Sequence, residues 1–198
     1  PTPSSAASDV YKRQVLAGYL KKKARSNEAA LKYVVYGGFS SGIMLFGLSY
    51  IFGLTGSTNI FQIQQSVTQL DPASSTALTL AIVMILAGFG YKISAVPFHF
   101  WTPDVYEGAP LSITAYLSVA PKAAAFALMI RFFNQTFADG GAMNGLDSIS
   151  LTQLPWPEIL SILSVATMTL GNVVALQQES IKRMLAYSSI AHAGYMLL

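Results

Sequence analysis

Long apolar stretches separated by short polar ones constrain this sequence more than any other feature. A helix needs about 20 apolar residues to cross the roughly 30 Å of hydrocarbon in a bilayer. Four stretches approach or reach that length, a fifth begins near the end, and the tail of another helix precedes them: residues 31–54, 76–96, 111–133, 158–176, 181–198 and 15–20. The pattern predicts an all-α fold, a polytopic transmembrane helix bundle.

Composition agrees with a membrane protein and excludes several other classes. Only 11% of the 198 residues are charged, whereas soluble domains carry roughly 25%. So few charges cannot cover a water-facing surface or form a basic face, which excludes a soluble globule, a disordered chain and a nucleic-acid-binding protein. The sequence contains no cysteine, which excludes disulfides, thiolate metal sites and iron–sulfur ligation within it.

The basic residues predict which ends of the spans share a side of the membrane. They cluster at positions 21–25 and 182–183, with four predicted crossings between them. An even number of crossings returns the chain to the same side, so both clusters can face the cytoplasm as the positive-inside rule requires. The polar stretches 56–75 and 134–157 contain no Lys or Arg and are expected outside.

The two ends of the sequence differ from the rest. Residues 1–14 (PTPSSAASDVYKRQ) are polar and have no helical period, and no initiator Met precedes them. We expect this tail to be non-native and leave it out of the fold. Residues 184–198 form an apolar helix that stops in mid-span, so we interpret residues 15–198 as a fragment of one transmembrane domain.

Two lysines lie inside predicted spans, Lys92 and Lys122. A cation at bilayer depth costs about 2.5–3.5 kcal/mol on insertion scales, so it is rarely there without a function. Each lies near a proline, Pro97 or Pro121, that lacks the N–H a helix needs. We therefore predict structural breaks at both prolines, because a freed carbonyl at membrane depth must face protein or water.

An amine beside a break in a helix suits proton transfer. Desolvation loosens the hold of a lysine on its proton, and a nearby carboxylate tightens it again, so a partner that moves can make the lysine take up and release a proton. The alternative is a lysine that extends to the membrane surface or forms a structural pair. Lys122 is about eleven residues from either end of its span, too deep to reach the surface easily.

Three further residues are weaker candidates. His99 follows the break at Pro97 and could relay protons, although it could equally anchor the broken turn. Asp104 and Glu107 fall in residues 101–110, where Pro and Gly predict irregular structure. These carboxylates could take up protons at the cytoplasmic face, or simply form turns and caps. The spacing of residues indicates no metal site and no dinucleotide-binding loop.

Residues 90–110 (GYKISAVPFHFWTPDVYEGAP) closely resemble the signature of the antiporter-like membrane-arm subunits of respiratory complex I. Residues 27–33 (NEAALKY) and 177–189 (QQESIKRMLAYSS) fit the same family. The resemblance implies a fold of inverted helix repeats, each with a helix broken in mid-membrane. It also implies that Lys92, on the broken helix, and Lys122, on the next helix, transfer protons. The family's regulatory glutamate, expected just before residue 15, is missing from residues 4–14.

The resemblance further implies a function and its setting. It indicates a proton-translocating subunit of NADH:quinone oxidoreductase, with NADH, FMN, iron–sulfur clusters and quinone bound elsewhere in the complex. The expected partners are other membrane-arm subunits, the lipid bilayer and protons, in a bacterial inner membrane or, alternatively, an organellar one. Two other interpretations stay open: a subunit of a multi-subunit cation/proton antiporter, and a membrane scaffold that transports nothing.

Overall fold

The computed structural model describes residues 17–19, 23–70, 72–137 and 155–198. All the regular structure in those ranges is helical, which confirms the predicted all-α class. The helices are α1 (Ala24–Thr55), α2 (Ile60–Val67), α3 (Ser75–Ile93), α4 (Trp101–Gly108), α5 (Leu111–Thr136), α6 (Trp156–Leu176) and α7 (Ile181–Met196), with a 3₁₀ turn at Pro72–Ser74.

Four of the described helices, α1, α3, α5 and α6, are long and apolar enough to cross a membrane. The next helix, α7, has 16 residues, about 24 Å at the helical rise per residue. The predicted polytopic helix bundle is therefore confirmed.

Helix α3 lies at the centre of the bundle and packs against α1 and α5. Its residues are apolar around most of the helix, and eleven of its nineteen are buried, as expected for a helix surrounded by others. The contact with α1 is close because Gly47 has no side chain: a Cβ there would lie 2.8 Å from the Ala81 carbonyl oxygen. Helices α6 and α7 form a second closely packed pair.

The short helix α4 corrects the sequence prediction, which expected irregular structure over residues 101–110. Pro103 is the third residue of the helix, where its missing N–H would have had no partner within the helix. The helix ends at Gly108, and Ala109 is extended before Pro110. Proline disrupts a helix when it lies in the interior, but it is compatible with the first turn, where Pro103 lies.

The predicted break at Pro121 is wrong, because α5 is continuous from Leu111 to Thr136 with Pro121 inside it. One proline removes one backbone hydrogen bond, and surrounding helices can support such a site within a membrane. The predicted break at Pro97 does occur, although α3 already ends at Ile93. Helix α1 begins at Ala24 instead of residue 31. The predicted tail 1–14, and residues 15, 16 and 20 of the preceding helix, lie outside the described residues.

Candidate functional site

At the break between α3 and α4, backbone N–H groups that leave the helix form hydrogen bonds with other groups of the protein. Ser94 takes the left-handed conformation with φ of 65°, and the Ala95 N–H donates to the Gly90 carbonyl at 2.8 Å. This arrangement is the Schellman motif that ends many helices. Beyond it, the Val96 N–H donates to Thr167 Oγ1 of α6 at 3.0 Å. Backbone groups at membrane depth need such internal partners because no bulk water is available.

Side chains on both sides of the break tie its two halves together. The Trp101 Nε1–H of α4 donates to the carbonyl of Tyr91 at 3.0 Å, in the last turn of α3. The Thr102 hydroxyl donates to Ser94 Oγ at 2.8 Å. Both contacts are buried, so α3 and α4 hold a fixed angle at the break.

Lys92 lies in the last turn of α3, two residues before the break at Ser94, and its side chain is half-buried. The last turn of a helix is the negative end of the helix dipole, which favours a cation. The position therefore holds a positive charge without bringing it into the apolar centre of the bundle.

Lys122 lies near the middle of α5 and is buried, with only 5% of its surface exposed. Its ammonium donates to Ser189 Oγ of α7 at 2.7 Å and to the Ser189 carbonyl at 3.1 Å. The ring of Tyr106 on α4 faces it, with its centroid 6.0 Å from Nζ. Among the described residues no carboxylate forms an ion pair with Lys122, so neutral oxygen atoms alone accept its hydrogen bonds.

His99 lies in the segment that joins α3 and α4, and 4% of its surface is exposed. Its ring stacks on Phe100, with the centroids 4.6 Å apart, and meets the edge of Tyr187 of α7. Its Nδ1 has no hydrogen-bond partner among the described residues. The aromatic contacts fit the anchoring role proposed above, and the unpaired nitrogen is a group through which a water could bind.

Asp104 and Glu107 lie one turn apart on α4 and join three helices through ion pairs. Asp104 contacts Lys32 of α1 at 2.6 Å and Arg183 of α7 at 2.8 Å. Glu107 contacts Arg183 at 3.2 Å and Arg25 of α1 at 3.4 Å. We call these five residues the charge cluster.

The charge cluster supports the predicted topology and affects the acidity of Asp104. It brings Arg25 and Arg183, from the two basic stretches of the sequence, to the same end of the bundle, as an even number of crossings requires. Burial raises the pKa of Asp104, but hydrogen bonds from Lys32 and Arg183 outweigh it, so this pKa lies below its usual range. An open cavity of about 220 Å³ adjoins the cluster and is lined by Arg25, Glu28, Ala29, Asp104, Glu107, Gly108 and Arg183.

The sequence alone did not indicate the roles of five residues of this site. Lys32 and Glu28 are spaced i,i+4 on one helix, a pattern that indicates a surface pair but not its contact with Asp104. Arg183 and Ser189 meet partners 67 or more positions away in the chain, and no local pattern indicates such contacts. Tyr106 could have been noticed as the aromatic residue between the two carboxylates of α4. Within the described ranges, no group of three His, Asp or Glu residues is arranged to hold a metal ion.

Comparison with known proteins matches nearly the whole chain to one family. A family model described as NADH:quinone oxidoreductase/Mrp antiporter, transmembrane, matches residues 13–198. Over 184 residues the chain is 56% identical to NADH-quinone oxidoreductase subunit N 2 of Chloroherpeton thalassium, a match that covers 93% of this chain and 35% of the relative. Over 191 residues it is 50% identical to NADH-quinone oxidoreductase subunit N of an Anaeromyxobacter species, with 93% and 37% covered.

Solved structures give the same result for the fold. Respiratory complex I from Thermus thermophilus with bound aureothin contains a chain that is 35% identical, with a TM-score of 0.68, and the match covers 89% of this chain and 34% of that one. The Mrp complex from a Dietzia species gives 25% identity and a TM-score of 0.69, with 89% and 30% covered.

The matched region is only part of each relative. The chain spans about a third of the length of the curated relatives it matches. Their names confirm the resemblance carried by residues 90–110, which in its PFHFWTPDVYEGAP form is most like subunit N of bacterial NADH-quinone oxidoreductase. Because the family model covers residues 13–198, the protein belongs to the NADH:quinone oxidoreductase/Mrp antiporter transmembrane family.

Proposed function

We propose that the full-length protein is a proton-translocating membrane subunit of NADH:quinone oxidoreductase, in which Lys92 and Lys122 pass protons. It would lie in the bacterial inner membrane beside other membrane-arm subunits. The observation that carries the proposal is the buried Lys122 ammonium, whose hydrogen bonds end on the hydroxyl and carbonyl oxygens of Ser189. A structural lysine is usually buried against a carboxylate that fixes its charge.

The surroundings of Lys122 suit proton exchange for a simple reason. A neutral acceptor stabilises an ammonium less than a carboxylate does, so the protonated and neutral amines are closer in free energy. Lys92 would provide a second amine, because it lies in the last turn of α3, beside the break. His99, with its unpaired Nδ1, is a weaker candidate for a relay between that break and the rest of the bundle.

Asp104 and Glu107 fit a structural role better than the proposed uptake of protons. Each forms ion pairs with two cations that join neighbouring helices, and Asp104 binds protons poorly near neutral pH because protonation would break both of its ion pairs. We therefore propose that the charge cluster fixes α4, and with it the break, to α1 and α7.

Electron transfer would take place in other subunits. The 198 residues contain no cysteine to hold an iron–sulfur cluster, and no dinucleotide-binding motif. NADH, FMN, the clusters and quinone are accordingly proposed to bind elsewhere in the complex, and this chain would respond to their reaction through its neighbours.

The second candidate function is that of a subunit in a multi-subunit cation/proton antiporter. It is favoured by the likeness to the Mrp complex, whose TM-score of 0.69 equals that to complex I within 0.01. Sequence identity separates the two: 35% to the complex I chain against 25% to the Mrp chain, and 50–56% to relatives named as subunit N. We therefore prefer the complex I subunit.

The test replaces Lys122 with Met in the full-length protein within its assembled complex. Met has similar length and apolar character, so the helices can pack, while the exchangeable proton is lost. NADH-driven proton uptake into inverted membrane vesicles should fall at least about tenfold, since a positioned proton-transfer group contributes about 10²-fold or more. Lys23→Met, at the exposed start of α1, is the matched control and should pump normally.

The scaffold interpretation makes the opposite prediction. If Lys122→Met vesicles contain the normal amount of complex and take up protons at the wild-type rate, Lys122 does not transfer protons. Cation-dependent proton exchange that persists without NADH would instead favour the antiporter subunit.

A further inference from the structure

The hydroxyl of Tyr106 on α4 is an unexplained polar group in the core. The side chain is 2% exposed, and its ring packs against Trp101 with the centroids 6.2 Å apart. The phenol oxygen has no hydrogen-bond partner among the described residues. Buried hydroxyls nearly always have one, so an orphaned hydroxyl invites a functional explanation.

Ser189 on α7 is the polar side chain that could serve this hydroxyl. Its Oγ accepts a hydrogen bond from Lys122 at 2.7 Å, and a hydroxyl that accepts still has its own hydrogen to donate. Ser189 and Tyr106 meet at the same group, because Ser189 Oγ lies 2.7 Å from Lys122 Nζ and the Tyr106 ring centroid lies 6.0 Å from it. The ring of Tyr106 faces the same Lys122 ammonium.

We propose that Ser189 is a positioning residue for Lys122, and that its hydroxyl donates to the Tyr106 oxygen. The result is a hydrogen-bonded chain from the Lys122 ammonium through Ser189 to Tyr106, which links α5, α7 and α4. The inference rests on the proposed function, because it assumes that Lys122 exchanges protons. It adds that the orientation of this amine depends on α4, the helix that Asp104 and Glu107 attach to α1 and α7.

Three substitutions separate the members of the chain. Ser189→Ala removes the Oγ acceptor and keeps the carbonyl, so proton uptake should fall about tenfold, the lower end of the range for a hydrogen bond to a charged group. Ser189→Thr keeps a hydroxyl at the same position and should restore most of the rate. Tyr106→Phe removes a single oxygen and acts only through Ser189, so its effect should be about two- to threefold.

The experiment measures NADH-driven proton uptake in inverted vesicles from pH 6 to 9, for the full-length protein in its assembled complex, per amount of complex. Ser189→Ala should lose uptake at the alkaline end about one pH unit earlier than wild type, because the ammonium has lost an acceptor. Tyr106 is the titratable group that faces Lys122 from α4, while α3, which packs against α5, carries Lys92 in its last turn, and Lys92 is unchanged in all these variants. Ser118→Ala, whose hydroxyl bonds within α5, is the matched control and should leave the profile unchanged.

The double variant Ser189→Ala/Tyr106→Phe decides whether the chain exists. If Tyr106 acts through Ser189, the double variant pumps no worse than Ser189→Ala alone; independent effects that multiply would overturn the proposal. So would a wild-type rate and pH profile in Ser189→Ala. Lys122→Met is measured in the same series: if it abolishes uptake while Ser189→Ala does not change it, the inference fails and the proposed function stands. Unchanged uptake in Lys122→Met would remove both.

Discussion

The Lys122 ammonium on α5 donates to both oxygens of Ser189 on α7, a residue 67 positions further along the chain. This contact connects the second and fourth helices after the break, so the buried charge of α5 is held by a neighbouring helix. At the end of the bundle the charge cluster also joins helices, because Asp104 and Glu107 of α4 form ion pairs with both α1 and α7.

Replacing Asp104 with Asn should destabilise the bundle by about 1–2 kcal/mol, because two partly buried cations lose their shared carboxylate. The measurement is the thermal unfolding of the purified full-length protein in detergent. Glu179→Gln is the control, since Glu179 lies between α6 and α7 and forms no ion pair among the described residues. Equal melting temperatures for Asp104→Asn and wild type would show that the ion pairs of Asp104 do not stabilise the fold.

The stabilisation by Asp104 should be lost at acidic pH and stay unchanged near neutral pH. Its pKa is lower in the folded protein than in the unfolded chain, so the contribution is complete above the ordinary Asp pKa of about 3.9 and disappears as the pH falls through the lower folded value. The difference in melting temperature between wild type and Asp104→Asn should therefore stay constant from pH 8 to pH 5 and shrink below about pH 4. A difference that already shrinks between pH 7 and pH 6 would contradict the assignment.

Thr167→Val should weaken the break between α3 and α4. The substitution removes the hydroxyl oxygen that accepts the Val96 N–H at 3.0 Å and leaves a partly buried donor unpaired, which costs about 1 kcal/mol or more. Thr167→Ser keeps the oxygen and should be close to wild type. Faster hydrogen exchange of the Val96 amide in Thr167→Val, measured by mass spectrometry, would locate the effect at the break; unchanged exchange would contradict it.

Gly171→Ala should separate α6 from α7. An added Cβ at Gly171 would lie 2.7 Å from the Ala191 backbone nitrogen, whereas a Cβ at Gly53 meets nothing within 4 Å. Backbone cannot move aside as a flexible side chain can, so we expect a loss of about 1–3 kcal/mol from overpacking. The melting temperature of Gly171→Ala should fall while that of Gly53→Ala stays near wild type; an equal fall in both would indicate an effect of helix composition and not of packing.

The sequence predicted helices well where apolar length decides the structure, and poorly where polar contacts between helices decide it. The spans near α3, α5 and α6 follow from their uninterrupted apolar residues. The first two turns of α1 are polar, and ion pairs to α4 stabilise them, so no periodicity could indicate them. Helix α4 was missed because Pro103 and Gly108 read as breakers, although they occupy the two ends of the helix.

The candidate site divides in the same way. Lys92 and Lys122 could be identified from sequence because an ionisable residue within an apolar span is costly wherever it points. Ser189 could not, because a serine in a membrane helix is common and gains meaning only from the neighbour it meets in three dimensions. Tyr106 stands out in the sequence only as the aromatic residue between two carboxylates, and its contact with Lys122 required the fold. The carboxylates Asp104 and Glu107 were identified, but their pairing with Lys32 and Arg183 required the fold.

Lys92→Arg, in the full-length protein within its assembled complex, tests the central claim most directly, because guanidinium keeps the positive charge but does not release its proton near neutral pH. The measurement is NADH-driven proton uptake into inverted membrane vesicles, per amount of assembled complex. We predict a normal content of complex with uptake reduced at least about tenfold. Wild-type uptake in Lys92→Arg would contradict proton exchange at this lysine and leave it only a structural charge.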